Sequence, residues 1–343
     1  MKIKFIKEIF RSEKIHYYNN GDIITSYFNR VSLKLDHKNF QFNFPISNLD
    51  YFLGKSRLIR RLFRLDMCNI FFFNKKDVVA IRNTKVYYYD ILKNELIETL
   101  TLENCSCILN QSMCQDKNGH LYFGEYGRNK TRKPVNIYKS TNSGMTWEVI
   151  FSFKSGEIRH VHGCYYDKYL DKIWTLTGDD NGENIFMLSD IEFKSNKFIG
   201  DKSQIYRSVN IFINKNNIHW ISDSPHIKNY HYSMNKTSYD VQKNQLFSGP
   251  VWYIKRLSYN NYIAATTVEK GLGVLSQNAK IYHTKNLKDW NCVAEFSKDI
   301  FPMPLFKWGV VSFSDGDQES ESFTLHFEGL KKLDGKAYIC SIN

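Results

Sequence analysis

The sequence predicts an all-β chain, a β-propeller of seven four-stranded blades, with six blades as the alternative. Three observations predict it. Aromatic usage is heavy, with 25 Phe, 22 Tyr and 6 Trp against only 6 Pro, and together with many β-branched residues this favours sheet. A unit of short strand, polar turn and short strand recurs, its starts roughly 50 residues apart, the period of propeller blades rather than of helical solenoids. Amphipathic helical periodicity is nearly absent.

The recurring pair is read first in "KVYYYDILKNELIETL" from Lys85, then in "NIYKSTNSGMTWEVIFSF" from Asn136 and "NIFMLSDIEFKSNKF" from Asn184. It returns in "NYHYSMNKTSYDVQ" from Asn229 and "KIYHTKNLKDWNCVAEF" from Lys280. Two further short runs precede each pair, as in "HVHGCYYD" and "KIWTLTGD", or "GPVWYIKRLS" and "NYIAATTVE". They are β-branched or aromatic and are separated by Asn, Asp, Gly and Lys turns. This places blades near 15–50, 65–100, 107–153, 158–200, 205–247, 249–297 and 303–343. Met1 to Phe52 is the least regular stretch and leaves six blades open. The last unit offers three clear strands, ending in "KAYICSIN", and the N-terminal "KIKFIKEIF" is the candidate for its fourth. Such closure removes free sheet edges. The expectation is one propeller domain over 1–343.

Charge and cysteine content narrow the function classes. The net charge is +12. Lys is scattered rather than clustered, which fits a solvated surface; an acidic partner is the functional alternative. No aromatic-plus-basic nucleic-acid motif stands out, so nucleic acid is not an expected partner. The 7 cysteines are odd in number and irregular in spacing, which points to free thiols in a reducing compartment rather than a disulfide or zinc framework. The start lacks an apolar run long enough for a signal peptide, and no stretch is long enough to span a membrane. The expected location is cytoplasmic.

Propeller topology says where chemistry could sit. Strands of a blade alternate in direction, so first-strand starts and second-strand ends share one face around the central channel. First-strand starts carry Arg159, His160 and His162 ("IRHVHG"), Arg207 ("YRSV"), and Trp252 and Tyr253 ("GPVWY"). Second-strand ends carry Glu125 and Arg128 ("FGEYGR"), Asp179 and Asp180 ("TGDD"), Asp223 ("SDSP"), and Glu269 ("TTVEK"); Arg64 ("RLFRLD") adds a further blade. Strand ends are polar in any protein. These, however, carry Asp, Glu, Arg, His and Trp where other turns carry Lys and Asn. His160 and His162, two apart on a strand, would share a face with Cα atoms roughly 6–7 Å apart. No cofactor is expected. The pair permits acid–base work, plain hydrogen bonding, or a metal with Asp179 as third ligand.

One motif names a scaffold. "STNSGMTW", Ser140 to Trp147, resembles the Asp-box, the S-x-D-x-G-x-T-W turn of the sialidase-like β-propellers. Ser140, Gly144, Thr146 and Trp147 match, and Asn142 stands where the family has Asp. "HTKNLKDW", ending at Trp290, is a weaker echo. The physical role is structural: Ser and Asn side chains bond turn backbone that no strand satisfies, and Trp147 inserts between neighbouring blades.

The resemblance implies a box between the third and fourth strands of a blade, away from the active face. It further implies arginines clamping a substrate carboxylate, here Arg64, Arg159 and Arg207. It also implies a Tyr–Glu nucleophile, for which Tyr253 and Glu269 are candidates, and an acid/base carboxyl in Asp179 or Asp223. The family's early Arg-Ile-Pro signature is absent, and "FRLD" is the nearest text. The expected function is therefore a carbohydrate-active enzyme, a glycoside hydrolase or a polysaccharide lyase with His or Tyr taking the proton, acting on an acidic oligo- or polysaccharide. The candidate catalytic set is His160, His162, Asp179, Asp223, Tyr253, Glu269 and Glu125; the substrate-binding set is Arg64, Arg159, Arg207 and Trp252. The alternative is a non-catalytic glycan- or protein-binding propeller.

Overall fold

Short runs of β-branched and aromatic residues, each closed by an Asn, Asp or Gly turn, pair with their sequence neighbours into antiparallel four-stranded sheets. A computed structural model describes every residue except Ser12, Glu13, Lys75, Asn104 and Tyr259. It holds seven such sheets, the blades of a β-propeller. From the channel outward, blade 1 is Lys14–Asn19, Asp22–Tyr27, Arg30–Leu35 and Lys38–Asn43. Blade 2 is Asn69–Phe71, Asp77–Arg82, Lys85–Asp90 and Glu95–Thr101. Blade 3 is Cys114–Gln115, Leu121–Gly124, Val135–Ser140 and Glu148–Phe153. Blade 4 is His160–Asp167, Lys172–Gly178, Phe186–Asp190 and Asn196–Ile199. Blade 5 is Ile211–Ile213, Asn217–Ile221, Tyr230–Asn235 and Val241–Leu246. Blade 6 is Val251–Leu257, Asn261–Thr266, Asn278–Thr284 and Asn291–Ser297. Blade 7 takes Val310–Ser312, Phe323–Glu328 and Lys336–Ile342 from the C-terminal end. Its outer strand, Ile3–Arg11, comes from the other end of the chain and pairs antiparallel with Lys336–Ile342.

The core lies between blades. Apolar side chains of each sheet meet those of the next in successive clusters, from blades 1 and 2 round to blades 6 and 7. Trp174 and Trp220 are fully buried between blades 4 and 5. Blades 1 and 7 meet through main-chain bonds, Tyr18 N to Asp315 O (3.0 Å) and Asp315 N to His16 O (2.8 Å).

The box turn does what its residues predict. Ser140 Oγ accepts from Gly144 N (2.8 Å), and Asn142 Oδ1 accepts from Thr146 N (2.9 Å). Gly144 sits at φ +95°, and a Cβ there would meet Val79 Cγ2 of blade 2 at 2.6 Å. Trp147, half-buried, donates to Thr99 Oγ1 of blade 2 (3.3 Å) and packs edge-on against Phe123. The equivalent turns of other blades use the same device without the motif. Asp90, Asp190, Asn235 and Asn286 each accept main-chain N–H bonds from the residues that follow.

The sequence reading missed two short helices between blades 1 and 2, Asn48–Leu53 and Arg57–Phe63. Each is capped by a serine, Ser47 and Ser56, whose hydroxyl accepts a first-turn N–H, as N-caps do. All seven cysteines are free, and only Cys292 is exposed. Among the described residues, no helix is long and apolar enough to cross a membrane.

Candidate functional site

First strands that run from the channel mouth carry a recurring irregularity. Blades 1, 4 and 6 each have a β-bulge near the start of the first strand, spanning Ile15/Tyr17, Val161/Gly163 and Val251/Tyr253. A bulge re-aims a side chain, and here the residues at it are His16, His162 and Trp252. In blade 4 the bulge leaves both histidines of "HVH" against one acid, Asp179, which follows the second strand of the same blade. His162 Nε2 lies 3.1 Å and His160 Nε2 3.5 Å from Asp179 Oδ1. Gly178 makes room: a Cβ on it would stand 2.5 Å from His162 Cε1.

Asp179 is the hub. Arg207 Nη2 reaches the same Oδ1 at 3.2 Å, and Arg159 Nη1 reaches Oδ2 at 3.3 Å. Arg207 Nη1 and Gln204 Nε2 both donate to the Asp179 carbonyl, at 3.0 and 2.9 Å. Burial alone would push this carboxyl up, but His160, His162 and Arg207 hold it well below the usual carboxylate range. Arg207 also faces Asp223, its Nε 3.6 Å from Oδ2.

Asp223 and Glu269 behave in the opposite way. Both are buried, and burial pushes both carboxyls up. Arg207 pulls them back, but each feels further acid beside it, Asp223 from Glu269 and Glu269 from Asp179. One environment thus holds an ionised acid, Asp179, beside two that keep their protons to higher pH. His160 Nε2, Arg207 Nε, Asp223 Oδ1 and Glu269 Oε1 are all buried without a hydrogen-bond partner. Such orphans are uncommon in folded chains, and these four belong to one cluster.

Beside the cluster lies a basic pair, Arg64 and Arg128, with Arg64 also within electrostatic reach of Tyr126. Arg64 occupies the left-handed position that ends Arg57–Phe63, rather than a strand start. Burial and the like charge of Arg128 lower its pKa. Neither Arg64 nor Arg128 has an acidic partner among the described residues. Arg159 spans Asp179 and Asp180 at 3.3 and 3.9 Å.

The structure therefore brings His160, His162, Asp179, Arg207, Asp223 and Glu269 together, with Arg159 beside them and Arg64 in the basic pair. It treats Glu125 and the expected Tyr253–Glu269 pair differently. Glu125 is buried inside blade 3, where it accepts from Asn136 N (2.9 Å) and Tyr138 Oη (3.2 Å). Glu269 Oε1 is buried without a hydrogen-bond partner, so the expected bond between it and Tyr253 is not formed. Tyr253 instead packs among the apolar residues of blades 6 and 7.

Tyr126 was missed. Its ring lies 4.2 Å, centroid to centroid, from His160. Burial, then the charges of Asp179 and Asp223, raise its hydroxyl well above the usual range. The sequence signal was the alternation of the strand itself: if Glu125 turns into the blade, its neighbour turns into the channel.

At the far end of the channel a separate cavity of about 560 Å³ is lined by Gln115, Tyr165, Phe212, Lys255, Tyr262 and Asp315, among others.

No protein-family model and no curated protein sequence matches the chain. Solved propellers match it in shape. The AfRom2 CNH domain is 8% identical, with 100% of this chain and 99% of that chain covered and a TM-score of 0.54. The structure of U3-55K is 7% identical, with 96% and 98% covered and a TM-score of 0.53. A putative TolB from Agrobacterium tumefaciens is 10% identical over 65% of this chain and 78% of its own, with a TM-score of 0.45. At such identities the likeness shows the fold alone: the chain is a seven-bladed β-propeller.

Proposed function

We propose that the channel mouth binds an acidic oligo- or polysaccharide, and that the protein is a carbohydrate-active enzyme, a hydrolase or a lyase. The observation that carries this reading is the basic pair. Arg64 and Arg128 lie close enough to repel, and no carboxylate of the described chain neutralises them. Guanidinium groups held together without a counter-ion favour an anionic ligand, and their planar forks suit a sugar carboxylate or sulfate. Arg207, which the sialidase-like resemblance would put in the clamp, is occupied by Asp179, and Arg159 is shared with Asp179 and Asp180, so the ligand-facing set in this proposal is Arg64 and Arg128.

Asp223 and Glu269 are the proposed proton-transfer pair. Buried carboxyls that keep a proton toward neutral pH suit a general acid. Tyr126 borders the same space and is the proposed partner for a proton taken beside a uronate carboxylate. A sialidase-like tyrosine nucleophile is not part of the proposal, because Tyr253 packs among the apolar residues of blades 6 and 7.

A second reading, binding without turnover, is favoured by one observation: Asp179 is already enclosed by two histidines and two arginines. Incubation with acidic polysaccharides, followed by ultraviolet absorbance and by reducing-end release, separates the readings. Turnover that is lost in Glu269→Gln and Asp223→Asn supports the enzyme. Saturable binding with neither signal supports the binding propeller, and no interaction with any acidic glycan overturns both.

A further inference from the structure

The two histidines of blade 4 are oriented in a way that proton transfer does not require. His160 Nδ1 lies 2.7 Å from the carbonyl of Gly127, and His162 Nδ1 lies 2.8 Å from the carbonyl of Ser208. A carbonyl oxygen has no proton to give, so Nδ1 is the donor in both rings and carries the hydrogen. In the neutral ring Nε2 is then a bare acceptor. Both Nε2 atoms nevertheless face Asp179 Oδ1, at 3.5 and 3.1 Å, which sets two lone pairs against an anionic oxygen. His160 Nε2 has no hydrogen-bond partner although the residue is only 3% exposed.

A cation removes this conflict. Metal-binding histidines donate their far N–H to a carbonyl or carboxylate, which fixes the tautomer and aims the near nitrogen at the ion. The three candidate ligand atoms lie within 4.8 Å of one another. Two of the separations, 3.1 and 3.5 Å, bracket the edge of roughly 3.3 Å that tetrahedral ligands at about 2.0–2.1 Å from zinc would make.

We infer that His160 Nε2, His162 Nε2 and Asp179 Oδ1 bind a divalent transition-metal ion. Two imidazoles and one carboxylate suit Zn²⁺. The positive charges of Arg159 and Arg207, 3.3 and 3.2 Å from the Asp179 carboxylate, oppose the ion and set the repulsion the site has to overcome. The rings and Asp179 leave at least one coordination position for a ligand in the channel. That this ligand is an acidic sugar rests on the proposed function; the metal site does not. The competing arrangement is metal-free, with imidazolium rings donating Nε2–H to Asp179.

The test uses the full chain after chelator treatment, titrated with ZnCl₂ by calorimetry and separately with CoCl₂. One equivalent of Zn²⁺ should bind. His160→Gln and His162→Gln should each weaken that binding by about 10–100-fold, while His283→Gln, a buried histidine of blade 6 bonded to Asn261, should not. In the Co²⁺-loaded wild type, proton NMR should show two hyperfine-shifted exchangeable imidazole signals, the Nδ1–H groups held by Gly127 and Ser208. The cobalt spectrum needs no variant and decides the matter if the Gln variants fail to fold. Absence of stoichiometric Zn²⁺ uptake, uptake unchanged in both Gln variants, or bound Co²⁺ without shifted histidine signals would each overturn the site. Sugar titrations on zinc-free protein are scored separately, so their failure leaves the metal result standing.

Discussion

Truncating the two tryptophans that close the third-to-fourth-strand turns, Trp147 in blade 3 and Trp290 in blade 6, should give unequal losses. Full burial sets the difference. Trp290 is 4% exposed and packs against Phe247, His231 and Phe212 at centroid distances of 5.5, 5.8 and 6.3 Å. Its removal leaves a cavity closed on all sides, and Trp290→Ala should cost about 3–5 kcal/mol, the range for buried aromatic truncation. Trp147 is half-buried, with one edge contact to Phe123 at 4.9 Å and a 3.3 Å bond to Thr99. Water can refill much of the space it leaves, so Trp147→Ala should cost about 2–3 kcal/mol. Trp290→Phe sharpens the test. The indole N–H of Trp290 is buried without a partner, so phenylalanine loses volume but no hydrogen bond and should cost under about 1.5 kcal/mol. Urea unfolding followed by far-ultraviolet circular dichroism reads all three. Both turns lie on the face opposite the channel mouth, so affinity for an acidic sugar should not move in any folded variant. Equal losses for the two alanine variants, or weakened sugar binding at unchanged stability, would refute this assignment of the boxes.

Further outcomes follow from the same geometry. Arg207→Met should cost about 2–4 kcal/mol, because a buried charge-assisted contact to Asp179 and a bond to its carbonyl are both lost; an unfolding midpoint equal to wild type would show that Asp179 does not need it. Burial pushes His219 and His231 down to about 4 and about 3, so the unfolded chain takes up protons near pH 6.5 that the fold refuses, and their share of stability is lost as pH falls from there toward 4. Asp315, raised to about 6 by burial, acts in the opposite sense, so the difference is the quantity to measure. His219→Asn with His231→Asn should gain on wild type by roughly 4–5 kcal/mol between pH 6.5 and 4.5, about 2 for each histidine, and a constant difference would contradict the buried neutral pair. Deleting residues 1–11 should expose Lys336–Ile342 as a free edge and cause self-association; a monomer of unchanged midpoint by ultracentrifugation and urea unfolding would remove the closing strand from the account.

The blades were legible because each residue run carries its own evidence. Strand, turn and strand repeat locally, and sheet pairing between sequence neighbours needs no long-range information. The turn from Ser140 to Trp147 was legible in blade 3 because Ser140, Asn142, Gly144, Thr146 and Trp147 stand together. Its counterparts at Asp90 and Asn235 were not, because one side-chain oxygen is enough to cap such a turn and leaves almost no pattern. The site was legible to the extent that topology governs it: strand ends at Asp179, Asp223 and Glu269 and strand starts at His160, His162 and Arg207 share a face. What escaped was side-chain direction. A bulge, invisible in sequence, re-aims His162 and Trp252. A single step of alternation sends Glu125 into blade 3 and Tyr126 into the channel. Arg64 reached the basic pair from a helix end, which serine capping at Ser56 could have signalled.

The central claim is that an anionic sugar meets the unpartnered arginines at the channel mouth. Isothermal titration of the wild type and of Arg64→Ala/Arg128→Ala with a hexuronate oligosaccharide, at two salt concentrations, tests it most directly. The account predicts saturable wild-type binding that weakens with salt, and at least about a tenfold loss in the double variant, since each arginine of the pair contributes on the order of 1 kcal/mol. Equal affinity in the two proteins, or no binding of the oligosaccharide by the wild type, would contradict it.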